Sequence, residues 1–169
     1  MAAHVIVMTL QNFGTFFWLD ASAVLKLVLA ERGSDELQRV VEQAGCVYTT
    51  SFCFGEAFGI LKVRRFGKRQ RISQEVYIRA TNNLRSRINS NCMKFEEASI
   101  LNPTVFFEAA RLSDRYGVDL SDALQVITIK RSMIVGATLI TADNELAEAA
   151  RAEGVSVWNC EKEAPPQVT

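Results

Sequence analysis

Four acidic residues stand where a folded chain could bring their carboxylates together. Asp20 ends the bulky apolar run Phe16-Phe17-Trp18-Leu19, whose residue types suit a pleated strand. Glu56 falls one to two turns into a helix expected after a second strand, and its neighbours Phe52, Phe54, Ala57 and Phe58 are apolar. Asp122 lies at a helix start, in Leu120-Ser121-Asp122, and Asp143 follows the strand-like run Gly136 to Thr141. Taken singly, each acid has a structural explanation as a helix cap or a first-turn acid, worth roughly 0.3–1 kcal/mol with no chemistry attached. Taken together they suggest more. Carboxylates gathered at one place repel, and burial raises their pKa values unless a cation neutralises them. A hard divalent ion such as Mg²⁺ or Mn²⁺ takes oxygen ligands of this kind. Beside a phosphodiester, such an ion can lower the pKa of a water and steady the leaving oxygen. No histidine base is needed, and His4 is the only histidine of the chain.

The elements around these acids alternate between strand and helix. A strand over about 16–20 turns at Asp20 into an apolar helix over 23–31. Gly33-Ser34 then introduces a second helix, with Leu37, Val40, Val41 and Ala44 on one face and Gly45 as its stop. Cys46 to Thr50 is a short strand, and Ser51 is expected to cap a helix through Arg65 that ends at Gly67. Ser73 caps a further helix with Tyr77, Ala80, Leu84 and Ile88 on one face, and Met93 to Glu96 is a third, weaker strand. Asn102-Pro103 starts a helix with Phe106, Ala109, Ala110 and Ser113 inward, stopped by Gly117. The next helix runs from Leu120 to about Met133. A strand to Thr141, a helix from Asp143 to Glu153 and a last strand over Val155–Trp158 follow. Asp119, just outside a helix, is expected to be its cap. Strands separated by helices at this spacing predict a three-layer α/β/α domain with a mostly parallel sheet. In such a sheet, ligands sit at the carboxyl ends of the strands.

At 169 residues the chain is long enough for one domain with a substantial core and too short for two. Residues 16–160 form that domain, 1–15 an N-terminal extension and 161–169 a tail. The formal net charge is zero, but its distribution is uneven: ten basic residues and one acid fall between Lys62 and Lys94, against nine basic and eighteen acidic elsewhere. A basic flank beside an acidic body suits a polyanion held next to a metal site, although a solvated pair of helices would look the same. Cys46, Cys53, Cys92 and Cys160 form no CxxC pair, which excludes a zinc cluster and fits reduced core thiols. Residues 1–17 lack the charged start and the cleavage site of a signal peptide and are interrupted by Gln11 and Asn12, so no membrane span and a cytoplasmic location are expected.

Four short motifs in order, Asp20-Ala21-Ser22-Ala23, Ser51 with Glu56, Asp122-Ala123-Leu124 and Thr141-Ala142-Asp143, resemble the pattern of PIN domains, the metal-dependent ribonuclease fold of VapC-type toxins. The resemblance spans about residues 16 to 158. It implies that Asp20, Glu56, Asp122 and Asp143 hold Mg²⁺ or Mn²⁺ while water attacks the RNA backbone, with Ser22 and Thr141 as supporting hydroxyls. It further implies an antitoxin partner and a homodimer. The basic pair of helices between Lys62 and Lys94 fits the hairpin that, in such toxins, flanks the groove and meets the antitoxin. Arg64, Arg65, Lys68, Arg69 and Arg71 are the expected phosphate contacts there, and such binding weakens steeply with salt.

Other readings remain open at this level. A noncatalytic PIN-like module that binds RNA or protein has no reason to gather repelling carboxylates. A DNA-directed relative shares the metal chemistry, though the small size and lack of a helical arch favour RNA. An adhesion-type Asp-x-Ser-x-Ser site fails because Val24 occupies the last serine position. A phosphatase or phosphotransfer receiver lacks the second Asp beside Asp20 and a Lys after Thr141.

Overall fold

The computed structural model describes residues 16–68, 71–98, 102–132, 134 and 136–167. The elements follow in the order β1 (Phe17–Leu19), α1 (Ala21–Lys26), α2 (Ser34–Ala44), β2 (Val47–Thr49), α3 (Ser51–Phe66), α4 (Gln74–Asn89), β3 (Met93–Phe95), α5 (Pro103–Tyr116), α6 (Leu120–Arg131), β4 (Thr138–Thr141), α7 (Asn144–Ala152) and β5 (Ser156–Asn159). The five strands pair in parallel in the order β3-β2-β1-β4-β5. The chain therefore starts at the centre, winds outward to β3, and crosses back to β4 on the other side of β1. The reversal lies between β1 and β4, paired with Phe17 beside Thr138 and Leu19 beside Ile140. At that point the connections leave the strand ends in opposite directions and open a crevice.

Alternation along β1 explains the two cores. Phe17 and Leu19 face α1 to α4 together with Ile140, while Trp18 faces α5 to α7 together with Leu139. All three β1 side chains are fully buried, as expected of a central parallel strand covered on both faces. Each contributes about 1.5–3 kcal/mol of apolar burial. Gly33 fixes a second feature near the strand ends. Its φ is +81°, and a side-chain Cβ there would collide with the Cys160 carbonyl oxygen, so the α1–α2 turn lies directly against the segment after β5.

The three-layer α/β/α expectation holds, with every strand parallel. Several local expectations need correction. The first helix is shorter than 23–31, ending at Lys26 before a turn that brings Glu31 back beside it. Thr50, not Ser51, caps α3, its hydroxyl accepting the Cys53 N–H at 3.1 Å. On α5 the buried stripe is Val105, Ala109 and Leu112 rather than Phe106, Ala110 and Ser113; Phe106 and Phe107 are 44% and 66% exposed. The helix after Leu120 stops at Arg131, and Met133, like residues 1–15, lies outside the described residues. The caps at Ser73 and Asn102 and the stop at Gly117 are found as expected. Among the described residues the cysteines are free thiols, and no helix is long and apolar enough to cross a membrane.

Candidate functional site

Asp20 is the first residue past β1 and the N-cap of α1, and it is buried. Its carboxylate accepts the Ala23 N–H at 2.7 Å, the Ser22 hydroxyl at 2.8 Å and the Thr141 hydroxyl at 2.6 Å. The same two hydroxyls accept from the neighbouring strand end, Ser22 from the Ala142 N–H and Thr141 from the Asp143 N–H, both at 2.8 Å. Ser22 and Thr141 thus stitch the end of β1 to the end of β4 through Asp20. Asp143 caps α7 by accepting the Leu146 N–H at 3.0 Å.

A cavity of about 320 Å³ opens above these strand ends, and Asp20, Glu56, Asp122 and Asp143 all line it. The structure therefore brings the four sequence-predicted acids to one crevice at the switch between β1 and β4. Asp119 joins them. It occupies the N-cap position of α6 but its side chain makes no cap hydrogen bond; it lines the cavity instead, contrary to the expected role as a cap. Cap and cavity acid share one residue type and one position, which is why its sequence context pointed the wrong way.

The electrostatics record how closely these groups crowd. Burial pushes the Asp122 carboxyl up to about 7, reinforced by the charges of Asp20, Glu56, Asp143 and Asp119. Burial likewise raises Asp20 to about 6, against the pull of the Thr141, Ala23 and Ser22 hydrogen bonds, with a further upward push from Asp143. Glu56, on the exposed side of α3, is raised by partial desolvation and by Asp119, partly offset by the Ser121 hydroxyl. These are acids that hold their protons more tightly than acids in water.

On the inner face of α6, Gln125 is fully buried, a polar residue that the sequence reading passes over. Its amide donates to the Leu19 carbonyl at 2.9 Å, and its oxygen accepts the Cys53 thiol at 3.2 Å. One side chain thereby fixes α6, which carries Asp122, against both the end of β1 and the helix carrying Glu56. Burial pushes the Cys53 thiol up to about 12, so it stays protonated as this donor.

The opposite half of the cavity is an ion-pair cluster of Lys26, Glu31, Arg64 and Glu161. Lys26 is only 4% exposed, yet its ammonium donates to the Arg32 carbonyl at 2.9 Å and to Glu161 and lies 3.5 Å from the Glu31 carboxylate. Glu31 also pairs with Arg64. Of the expected phosphate contacts, Arg64 is thus at the cavity wall, and Lys68 and Arg71 lie exposed beyond it. Arg65 lies over the Phe66 ring at 5.1 Å. Arg69 lies outside the described residues.

The donor set bears on a metal in two ways. Among the described residues no three His, Cys, Asp or Glu side chains are already arranged as a ligand group. The chemistry nevertheless suits a hard, hydrated cation: the donors are oxygens, and Mg²⁺ keeps most of its waters while using one or two carboxylates directly. At roughly 30 Å³ per water, the cavity has ample room for a hydrated ion. A cavity of similar size, about 350 Å³ between α5 and α6, makes a poorer candidate because Lys130, Arg115 and Glu153 there are already paired.

A family model described as PIN domain matches residues 17–152. Among solved structures, the chain is similar to PAE2754 from Pyrobaculum aerophilum, at 18% identity and a TM-score of 0.55, covering 85% of this chain and 89% of that one. It is also similar to FitAcB from Neisseria gonorrhoeae, at 13% identity and a TM-score of 0.54, covering 87% of this chain and 99% of that one. At these identities the likeness establishes the shared fold. No curated protein matches the chain.

Proposed function

The chain belongs to the PIN domain family, a family of nucleases, and from that premise we propose that it is an endoribonuclease dependent on Mg²⁺ or Mn²⁺ and the toxin of a toxin–antitoxin pair. The observation that carries the reading is the convergence of Asp20, Glu56, Asp119, Asp122 and Asp143 on one crevice at the switch point of the sheet. Burial, reinforced by neighbouring acids, raises the proton affinity of Asp20, Glu56 and Asp122, a cost that a bound divalent cation offsets.

Asp20, Glu56, Asp122 and Asp143 would hold the ion, with Asp119 beside them. When bound, it supplies Lewis acidity that makes a water nucleophilic near neutral pH and stabilises the oxygen leaving phosphorus. The chain's own groups do the rest. Ser22 and Thr141 donate to Asp20 and hold its carboxylate in one orientation. Gln125 sets α6 so that Asp122 faces Asp20. Arg64, at the cavity wall, has guanidinium donors for a phosphate besides the one that Glu31 engages among the described residues.

The antitoxin has a fitting surface on the α3–α4 hairpin, where Phe66 is 65% and Ile78 47% exposed. The homodimer has one on α5, where the Phe106 and Phe107 rings stand 6.5 Å apart and open to solvent. Isolated apolar side chains need no explanation, but adjacent exposed aromatics favour an interface.

The test is cleavage of end-labelled single-stranded RNA by the purified chain. With Mg²⁺ or Mn²⁺ the wild type cuts; EDTA abolishes cutting, as do Asp20→Asn, Glu56→Gln and Asp122→Asn in proteins that still fold. Metal-independent cutting, or full activity in a folded Asp122→Asn protein, overturns the reading.

A further inference from the structure

A second cavity, about 310 Å³, abuts the acidic one and is lined by Ile60, Val63, Arg64, Gly67, Lys68 and Arg71. Ile60 and Arg64 line both cavities, so the two share a wall. Glu56, Ile60 and Arg64 recur every fourth residue on α3 and form one ridge, rising about 6 Å per step from the acids toward the basic pocket. Along that ridge the charge changes sign, and every charged residue lining the second cavity is basic.

The pocket is built by the chain rather than formed by loose side chains. The Arg64 carbonyl accepts the Arg71 N–H at 2.8 Å and the Ile72 N–H at 3.3 Å, which holds Arg71 and Ile72 against the helix end. Gly67 makes the turn, where a Cβ would collide with the Val63 carbonyl oxygen. Glu31, itself anchored by Lys26, holds the Arg64 guanidinium at the boundary between the cavities. Val63, 68% exposed, gives the pocket one apolar wall.

We propose that this second cavity is a nucleotide subsite for the strand flanking the scissile bond, with Lys68 and Arg71 taking a backbone phosphate, Val63 and Ile60 the apolar face of its ribose or base, and Arg64 bridging it to the cleavage site. The proposal rests on the nuclease reading above and adds a direction to it. The acids lie at one end of the ridge and the basic pocket at the other, so the contacts of this subsite lie to one side of the cut. An acidic protein segment would meet the same cations, but the junction with the acidic cavity favours a continuous polyanion whose neighbouring phosphate is the one to be cut.

The experiment is a phosphate scan. Single neutral methylphosphonate linkages are placed in turn at each position on both sides of the cleaved bond of a labelled RNA. Affinity is measured in the Glu56→Gln protein with Mg²⁺, with and without Lys68→Ala and Arg71→Ala. One linkage, on one side, should weaken binding about tenfold, and that same linkage should have almost no further effect once Lys68 and Arg71 are replaced. In the otherwise wild-type protein, the double replacement should raise KM with kcat unchanged. Additive losses at every position, or equal sensitivity on both sides, overturn the subsite while leaving metal-dependent cleavage standing. Absence of RNA cleavage by the wild type overturns the nuclease reading instead. Loss of antitoxin binding with an unchanged RNA scan assigns the pocket to a protein partner and also overturns the proposal.

Discussion

Replacing Asp122 by Asn should stabilise the metal-free protein while removing its response to metal. The Asp122 carboxyl has an ordinary value of 3.8 and a folded value of about 7, raised mainly by burial and then by its acidic neighbours. Between those values the folded state binds more protons than the unfolded state, so wild-type stability falls as the pH rises through this window. The contribution is fully present below about pH 4 and lost above about pH 7. Each pH unit of displacement is worth about 1.4 kcal/mol, which caps the effect at about 4 kcal/mol; water at the cavity mouth screens the charge and brings the expected figure to about 2 kcal/mol. Asparagine resembles the protonated acid and does not titrate. In EDTA the Asp122→Asn protein should therefore match wild type at pH 4 and exceed it by about 2 kcal/mol at pH 8, or about 4–8 °C in Tm for a chain of this size. Divalent metal should reverse the order at pH 8, since a ligand at 100 times its Kd adds about 2.7 kcal/mol to the protein that binds it. Urea or thermal unfolding across pH 4–8, with EDTA and with Mn²⁺, reads all of this. An Asp122→Asn protein less stable than wild type at pH 8 in EDTA, or equally raised by Mn²⁺, would show that the Asp122 charge neither costs stability nor binds the ion.

Gln125→Leu keeps the volume of the side chain but removes the bonds to Leu19 and Cys53. The Leu19 carbonyl retains the Thr49 hydroxyl, so stability should fall by only about 1 kcal/mol, while kcat on RNA drops tenfold or more at unchanged KM. An unaltered kcat would remove Gln125 from the positioning of α6. Phe106→Ser with Phe107→Ser should convert a dimer to a monomer in sedimentation velocity without loss of thermal stability, because both rings are exposed in the single chain. A wild-type monomer at all concentrations contradicts the dimer assignment.

Much of the fold is legible along the chain because strong local signals coincide with tertiary demands. The apolar run before Asp20 has to be a buried strand, and the Asn102-Pro103 start and the Gly117 stop leave little choice of helix ends. The stripe on α5 is not legible in the same way. Val105, Phe106 and Phe107 offer two helical periods, and size favours Phe106, yet the face turned to the core is Val105, Ala109 and Leu112. The four acids could be proposed because Asp20, Asp122 and Asp143 adjoin a strand end or helix start, and Glu56 lies early in the helix after β2, all carried by the topology to one edge. Lys26, Glu31 and Glu161 could not, since their meeting depends on the tight approach of the α1–α2 turn to the segment after β5, more than a hundred residues away. Gln125 did carry a signal. It is one of two polar residues in Ala123 to Ile129, a stretch buried on every side, where a polar group must find partners; the other, Thr128, donates to the Leu124 carbonyl of its own helix.

Acids far apart along the chain meet at the switch point of the sheet, and the proposed divalent cation is what would neutralise them there. Titration of Mn²⁺ into the purified chain, followed by loss of the free-ion electron paramagnetic resonance signal, measures that ion's binding most directly. Mn²⁺ should bind saturably at pH 8, be displaced by Mg²⁺, and fail to bind in both Asp20→Asn and Asp122→Asn. No binding by the wild type, or binding unchanged in both variants, would contradict neutralisation of these acids by a divalent cation.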